Sequence, residues 1–384
     1  PISRISKALR LNHTDLKNRI SGQTTYRRRK KQSSPLFVEL DCLHSFTGSE
    51  CIIEIEDSSG SKMRMRFRGK ADLDLLELGK QNEDKQSGLL KKRLEEANTD
   101  DLAILIYTSG TTGPPKGAMI SHRNILSVME MANDINPGYE SDELLSFLPL
   151  CHIAQRGVSV FNPMLTGYKI NFVEELDTVP ENMREVSPTV FFAVPRIWEK
   201  FYSALVLTMK DSTRLEKWAY KWATGIGMKV AEYRLNGKQP PSHLLAIFKL
   251  ADWTVLRNLK KVIGLDRVRY CLSGAAPISP DLLKFYYGLG IDIGEVYGQT
   301  ENCGPTSVHY PDDVKFGTVG KALPRAQIRI AEDGEILLKG PHVFMGYYNN
   351  PEKTAETIID GWLYTGDVGR LDEDDHLILS LIHI

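Results

Sequence analysis

The chain has 384 residues, 42% of them hydrophobic and 25% charged, with a formal net charge of −1. That profile suits a globular protein of two or three domains, and no apolar run approaches the ~18–20 residues of a membrane span. Its five cysteines lie far apart with no CxxC pair, which excludes a disulfide or zinc framework and points to reduced thiols in a cytoplasmic protein.

The first 32 residues differ from the rest. They hold ten Lys and Arg against the single acid Asp15, which leaves the remainder at −10. Nucleic-acid binding by that acidic body is unexpected, because such binding rests on basic side chains neutralising phosphates. The segment reads either as a helix-turn-helix fragment or as a solvated basic arm. It starts without Met, so a truncated start is expected. "CIIEIEDSSGSKMRMRFRGK" alternates apolar and charged residues about a "DSSGS" turn and predicts a β-hairpin. "ADLDLLELGK" suits a short helix. Residues 1–80 are read as a separate small module, followed by a polar connector at 81–88.

From residue 89 to 310 the texture is α/β. "LAILIYTSG" predicts a buried strand, and "SHRNILSVMEMAND" a helix with Ser121 as its N-cap. "KINFVEE", "TVFFAVP", "RVRYCLSG" and "IDIGEVYG" read as strands, with helical periodicity from Arg196 to about Leu235. Strands alternating with helices imply a mostly parallel sheet covered by helices. Residues 311–378 change to β: "QIRIAEDGEILLKG" predicts a hairpin turned by Asp333 and Gly334, and "GWLYTGDVGRLDEDDHLILS" a second β segment.

"YTSGTTGPPKG" (107–117) places a strand before a loop of Gly, Ser and Thr with one Lys. Glycine lets backbone approach closely, hydroxyls and amides donate to phosphate oxygens, and the Lys adds positive charge. The spacing is not that of a Walker loop, since Lys116 follows two prolines and precedes Gly117.

This stretch closely resembles the phosphate-binding motif of the adenylate-forming enzymes, which include acyl-CoA synthetases, firefly-type luciferases and peptide-synthetase adenylation domains. "LSGAAP" (272–277), "YGQTE" (297–301) and "WLYTGD" (362–367) resemble three further motifs of that family, in its order. The resemblance implies ATP, Mg²⁺ and, for a ligase, coenzyme A. It implies that Thr108, Ser109, Gly110, Thr111, Thr112, Gly113 and Lys116 cradle the β- and γ-phosphates. Gly274, Ala275 and Ala276 would lie against adenine, with Tyr297 stacking on its other face and Gly298 and Gln299 beside it. Thr300 would contact the α-phosphate, Glu301 would hold the metal, and Asp367 would accept from the ribose hydroxyls. Activating a carboxylate on ATP brings two anions together, so such a site works by positioning and charge neutralisation.

"FLPLCHIAQRG" (147–157) and "VPRIWEKF" (194–201) resemble long-chain fatty acyl-CoA synthetases, including the bubblegum-like branch. On that resemblance His152 faces the carboxylate or a phosphate, against the plainer reading of a hydrogen-bonded, partly buried histidine. Arg156 stands near a gate, and Gln155 replaces a more usual Glu. Trp198 and Phe201 either line a hydrophobic tunnel or pack in the core. "YKWATGIGMKVAEYR" either touches a membrane surface or is a solvated amphipathic face.

The fold implied is the large N-terminal domain of the adenylate-forming fold, in part, with a small β-subdomain. Two departures accompany it. Residues 1–80 do not resemble the family's N-terminal subdomain. The family's pattern beyond "GRLDEDDHLI", a hinge and a lid domain carrying a Lys that contacts the reacting carboxylate, has no counterpart, so that lid is expected to be absent and activity impaired. The tail 379–384, "LSLIHI", matches the translation of a transposase-end adapter used in DNA library preparation, so a chimeric or truncated sequence is expected. The expected function is an ATP-dependent long-chain fatty acid–CoA ligase. The alternative is a non-enzymatic DNA-binding or transposition-associated chimera that uses residues 1–32.

Overall fold

Strands contributed from across the chain form one large sheet whose order departs from sequence order. The computed structural model describes residues 50–56, 62–68, 88–89, 92–108, 114–173, 175–235, 237–311 and 313–380. The basic segment 1–32, the helix expected in "ADLDLLELGK" and the loop residues Ser109, Gly110, Thr111, Thr112 and Gly113 lie outside the described residues.

The nine-stranded sheet runs, in spatial order, Glu50–Glu56, Lys62–Arg68, Lys169–Phe172, Glu143–Ser146, Val190–Ala193, Tyr270–Gly274, Ile293–Gln299, Gly304–Val308 and Lys321–Ala322. Pairing is parallel from Lys62–Arg68 through Ile293–Gln299, and antiparallel at both edges. The interior strands carry buried side chains on both faces, as Phe191, Phe192 and Ala193 show, which parallel strands covered by helices require.

The predicted hairpin is present, with Cys51 opposite Phe67. Its place is in the main sheet, so within residues 1–80 the described strands Glu50–Glu56 and Lys62–Arg68 belong with the larger fold. Met65 and Arg66 pair in parallel with Ile170 and Asn171, so the hairpin is the outer edge of the main sheet. Alternation of apolar and charged residues reveals a strand but not the ladder it joins.

A three-stranded sheet orders Gly346–Tyr347, Lys116–Ser121 and Leu102–Thr108. The strand expected to be buried at Leu102–Thr108 is therefore one arm of an antiparallel hairpin, and its Leu102 and Tyr107 are exposed. The helix His122–Ile135 follows. Ser121 accepts from the Asn124 amide while the Asn124 side chain accepts from the Ser121 amide, a capping box that fixes the helix start. A third sheet orders Gln327–Ile330, Glu335–Lys339, Trp362–Leu371 and Ile358–Ile359, and Leu377–Leu379 pairs with Trp362–Leu371. The predicted turn at Asp333 and Gly334 closes its first hairpin. Leu379, read as the first residue of a foreign tail, is the last residue of a strand.

One core cluster lies between the main sheet and the helices Pro195–Lys210, Arg214–Leu235 and Pro280–Gly288. Trp198 is fully buried there. Its ring meets Phe191 edge-on at 5.3 Å and Tyr286 at 5.2 Å, and the Tyr286 hydroxyl donates to the Trp198 carbonyl at 2.6 Å. Phe201 packs in the same cluster, so both aromatics belong to the core and not to a tunnel. Among the described residues no helix is long and apolar enough to cross a membrane, and Cys151, Cys271 and Cys303 are free thiols.

Candidate functional site

The hairpin Leu102–Thr108 and Lys116–Ser121 sets Thr108 opposite Lys116, the two residues flanking the phosphate-type loop. The Thr108 hydroxyl stands 3.5 Å from both the Lys116 carbonyl and the Oε1 of Glu301. The Lys116 ammonium lies 5.3 Å from the centre of the Tyr347 ring, where the ring face attracts a cation. Tyr347 in turn donates its phenolic hydrogen to Glu301 Oε1 at 2.9 Å. Burial, and then the adjacent carboxylate, raise the Tyr347 phenol well above its ordinary value, so it remains a donor.

Glu301 is held by its own turn. The strand Ile293–Gln299 ends at a single 3₁₀ turn, Thr300–Asn302. Fully buried Asn302 accepts from the Gln299 amide at 2.7 Å and donates to the Gly304 carbonyl at 2.7 Å and the Thr306 hydroxyl at 2.5 Å. The Phe344 amide donates to the Glu301 carbonyl at 2.8 Å. Gly298 is required by this packing: a Cβ there would sit 1.7 Å from the Gly304 carbonyl oxygen. Thr300 and Glu301 are thus presented from a fixed backbone.

The third component is the loop after Tyr270–Gly274. A Cβ on Gly274 would meet Val296 Cγ1 at 2.7 Å, and Ala275 adopts φ +66°, a left-handed conformation uncommon for alanine. Gly274 and Ala275 border the cavity, while Ala276 is exposed and does not line it. Asp367 reaches the same cavity from the strand Trp362–Leu371. Its carboxylate accepts from the Tyr297 hydroxyl at 2.8 Å. The Tyr297 ring is buried in a hydrophobic cluster and does not border the cavity, so the structure assigns it contact with Asp367 where stacking on a ligand base was expected. Burial and Asp367 push that phenol up as well, keeping its proton.

These parts surround one cavity of about 850 Å³. Thr108, Lys116, Gly298, Gln299, Thr300, Glu301 and Asp367 line its polar end, and His152 borders it. His152 is exposed, at the start of the helix Ile153–Arg156, and makes no capping bond to that helix. Gln155 is buried, its amide donating to Ser146 and Ser159 hydroxyls at 2.8 and 2.6 Å; a neutral amide suits these partners. Arg156 turns back to the Leu150 carbonyl at 2.8 Å. The cavity continues as a mainly apolar arm beside Met129, Val158, Val190, Phe192 and Leu272, and Asn133, Asn136 and Asn162 also line the cavity.

Three residues that matter here escape sequence reasoning: Tyr347, Asn302 and Glu335. Glu335 borders the cavity and accepts from the Gly366 amide at 2.7 Å, steadying the turn before Asp367. Asn302 adjoins a recognised motif, so its position was a signal. Nothing local links Tyr347 to Glu301. Among the described residues no cluster of three or more His, Cys, Asp or Glu is placed to hold a metal. Mg²⁺ is commonly bound through one or two carboxylates and substrate phosphates, and the Glu301 carboxylate has lone pairs beyond those its partners use.

A protein-family model described as "AMP-binding enzyme" matches residues 39–348. A Mycobacterium tuberculosis protein named as fatty-acid–CoA ligase FadD11 is 41% identical over 281 residues, 72% of this chain and 49% of that protein. The chicken long-chain-fatty-acid–CoA ligase ACSBG2 is 34% identical over 354 residues, 89% of this chain and 45% of its own length. The chain spans about half the length of these relatives. Among solved structures, ATP-bound MatB from Rhodopseudomonas palustris is similar with a TM-score of 0.54 at 26% identity, over 74% of this chain and 48% of that one. The family match reaches back to residue 39, which agrees with the hairpin's place in the main sheet.

Proposed function

The chain belongs to the AMP-binding enzyme family, and from that membership we propose that it carries the nucleotide and acyl sites of an ATP-dependent fatty acid–CoA ligase. The reading is carried by one observation: Thr108, Lys116, Thr300, Glu301 and Asp367 line the polar end of a cavity whose other part is mainly apolar. A fatty acid laid in the apolar arm would present its carboxylate to the α-phosphate of ATP. Attack there forms the mixed anhydride of acid and AMP and releases pyrophosphate. Coenzyme A thiolate then displaces AMP to give the thioester.

In this reading Thr108 and Lys116, with the loop they flank, receive the β- and γ-phosphates, and Thr300 donates to the α-phosphate. Asp367 accepts from the ribose hydroxyls, while Gly274 and Ala275 leave space for a flat base. Mg²⁺ bound at Glu301 would neutralise the phosphate charge that builds as pyrophosphate leaves. The rigid mounting of Glu301 by Asn302 and Tyr347 means little reorganisation is needed at the moment of reaction. The acids proposed are long-chain fatty acids, which the names of relatives such as chicken ACSBG2 support.

The test is ATP–pyrophosphate exchange with palmitate, together with formation of the CoA thioester. Exchange that depends on palmitate and Mg²⁺ is expected. Exchange that ignores every fatty acid and follows an aryl or amino acid would overturn the acyl assignment. The alternative of DNA binding rests on residues 1–32, outside the described residues, and no observation favours it.

A further inference from the structure

The apolar arm has a floor, and the floor is ionic. On the strand Tyr270–Gly274, residues Tyr270, Leu272 and Gly274 share one face and all three border the cavity. The arm therefore runs the length of that strand, from the polar site at Gly274 down to Tyr270. Four residue steps at ~3.3 Å make roughly 13 Å. The helix His122–Ile135 covers it with Met129, Ala132 and Asn133, positions that fall on one helical face.

Arg269 borders the far end. Its guanidinium donates to Asp142 Oδ2 at 2.5 Å, to Asp142 Oδ1 at 3.3 Å and to the Pro137 carbonyl at 2.9 Å. Asp142 is 4% exposed and also accepts from the Thr189 hydroxyl at 2.7 Å and the Tyr139 amide at 2.9 Å. The Tyr139 ring lies under the guanidinium at 4.7 Å. Asp142 and Thr189 immediately precede the strands Glu143–Ser146 and Val190–Ala193, as Arg269 precedes Tyr270–Gly274. One buried carboxylate thus ties together the starting edge of three adjacent parallel strands.

We propose that Arg269, locked to Asp142, is the residue that limits acyl chain length, by ending the apolar arm at a fixed charged floor. The proposal rests on the acyl reading given above. An extended chain advances about 1.3 Å per carbon with bonds near 1.5 Å, so the straight run takes about ten carbons. Carbons beyond that meet a half-exposed guanidinium, 37% exposed, held on buried Asp142, and gain no further apolar contact. Each buried methylene adds roughly fourfold to affinity, and that gain stops at the floor.

The test is a binding series of octanoate, decanoate, dodecanoate, palmitate and stearate on the whole chain, read by displacement of a fluorescent fatty acid, with ATP binding measured alongside. The wild type should gain affinity with length up to about dodecanoate and then level off. Arg269→Ala should continue to gain through palmitate, by tenfold or more. Leu272→Phe, which places a ring halfway along the arm, should level off earlier, and it keeps the test decisive if Arg269→Ala does not fold. A plateau that neither variant moves would overturn the inference and leave the ligase reading intact. No binding of any acid with ATP binding retained would overturn the acyl reading and the inference with it.

Discussion

Tyr297 donates its hydroxyl to Asp367 at 2.8 Å, joining the last stretch of a main-sheet strand to the middle of the strand Trp362–Leu371, 70 residues away. The contact fixes a carboxylate at the cavity wall while leaving it lone pairs for a ligand. Tyr297→Phe removes the bond and keeps the ring. Stability should fall by about 1 kcal/mol. ATP affinity, measured by titration calorimetry, should fall about five- to tenfold because Asp367 is no longer held. Unchanged affinity would show that Asp367 is positioned without its partner.

Asn302→Leu tests the mounting of Thr300 and Glu301. It strips partners from the Gln299 amide, the Gly304 carbonyl and the Thr306 hydroxyl inside a fully buried site. Each lost partner costs about 1–3 kcal/mol, so the denaturant midpoint should drop by an equivalent of ~3 kcal/mol or more. A loss under ~1 kcal/mol would mean that the turn is held by its neighbours alone.

Two glycine substitutions should act in opposite directions. Gly298→Ala drives a Cβ to 1.7 Å from the Gly304 carbonyl oxygen, and neither backbone can retreat without breaking the strand pairing. Severe destabilisation or failure to fold is expected. Gly225, inside the helix Arg214–Leu235, has nothing within 4 Å of such a Cβ. Gly225→Ala should therefore stabilise the protein by about 1 kcal/mol, visible as a higher melting temperature.

Buried titratable groups away from the cavity give a pH dependence with a definite sign. Burial pushes the Glu295 carboxyl up to about 8 from 4.5, and its Oε2 has no partner. The folded protein holds that proton across the window and the unfolded chain does not, so stability from this group is lost as pH rises toward 8. Burial pushes His309 and His342 down to about 4 from 6.5; the nearby His376 adds to the effect on His309. His309 Nδ1 accepts from the Glu295 amide at 3.1 Å, which leaves its hydrogen on Nε2, facing the Lys315 carbonyl at 3.1 Å. The histidine contribution is present above pH 6.5 and is lost as pH falls toward 4. The three groups together place their optimum near pH 6.5. Unfolding free energy should drop by about 2 kcal/mol between pH 6.5 and 8. Glu295→Gln should flatten that limb and leave the acid limb in place; an unchanged alkaline limb would assign it to other groups.

The polar end of the cavity was readable from sequence because its chemistry sits in short, locally folded segments. Gly298 is required by the Gly304 carbonyl six residues on, and Thr300 and Glu301 share a single turn with Asn302. The helix after Ser121 was readable for the same reason, its cap being a local exchange between Ser121 and Asn124. Partners distant along the chain were not. Tyr347 meets Glu301 across 46 residues, and the pairing of Met65 with Ile170 lies between segments whose own patterns say nothing of each other. The strand Lys116–Ser121 was hidden because it begins directly behind two prolines and looks like the end of a loop. Trp198 and Phe201 illustrate a different limit: an apolar helical face reads identically whether it lines a tunnel or fills a core, and only packing against Phe191 and Tyr286 decides.

The distance along the chain between Thr108 and Glu301, 193 residues, also sets a timetable. The hairpin strands ending at Thr108 and restarting at Lys116 leave the ribosome almost together, and alone such a hairpin is marginally stable at best. Glu301 follows roughly ten to forty seconds later at ~5–20 residues per second. During that interval the inner face of the hairpin, with Ile106, Ala118 and Ile120, waits without the strands and helices that later bury it. The nascent chain is then a ready client for chaperones, and slower translation between the two segments would lengthen its exposure to aggregation.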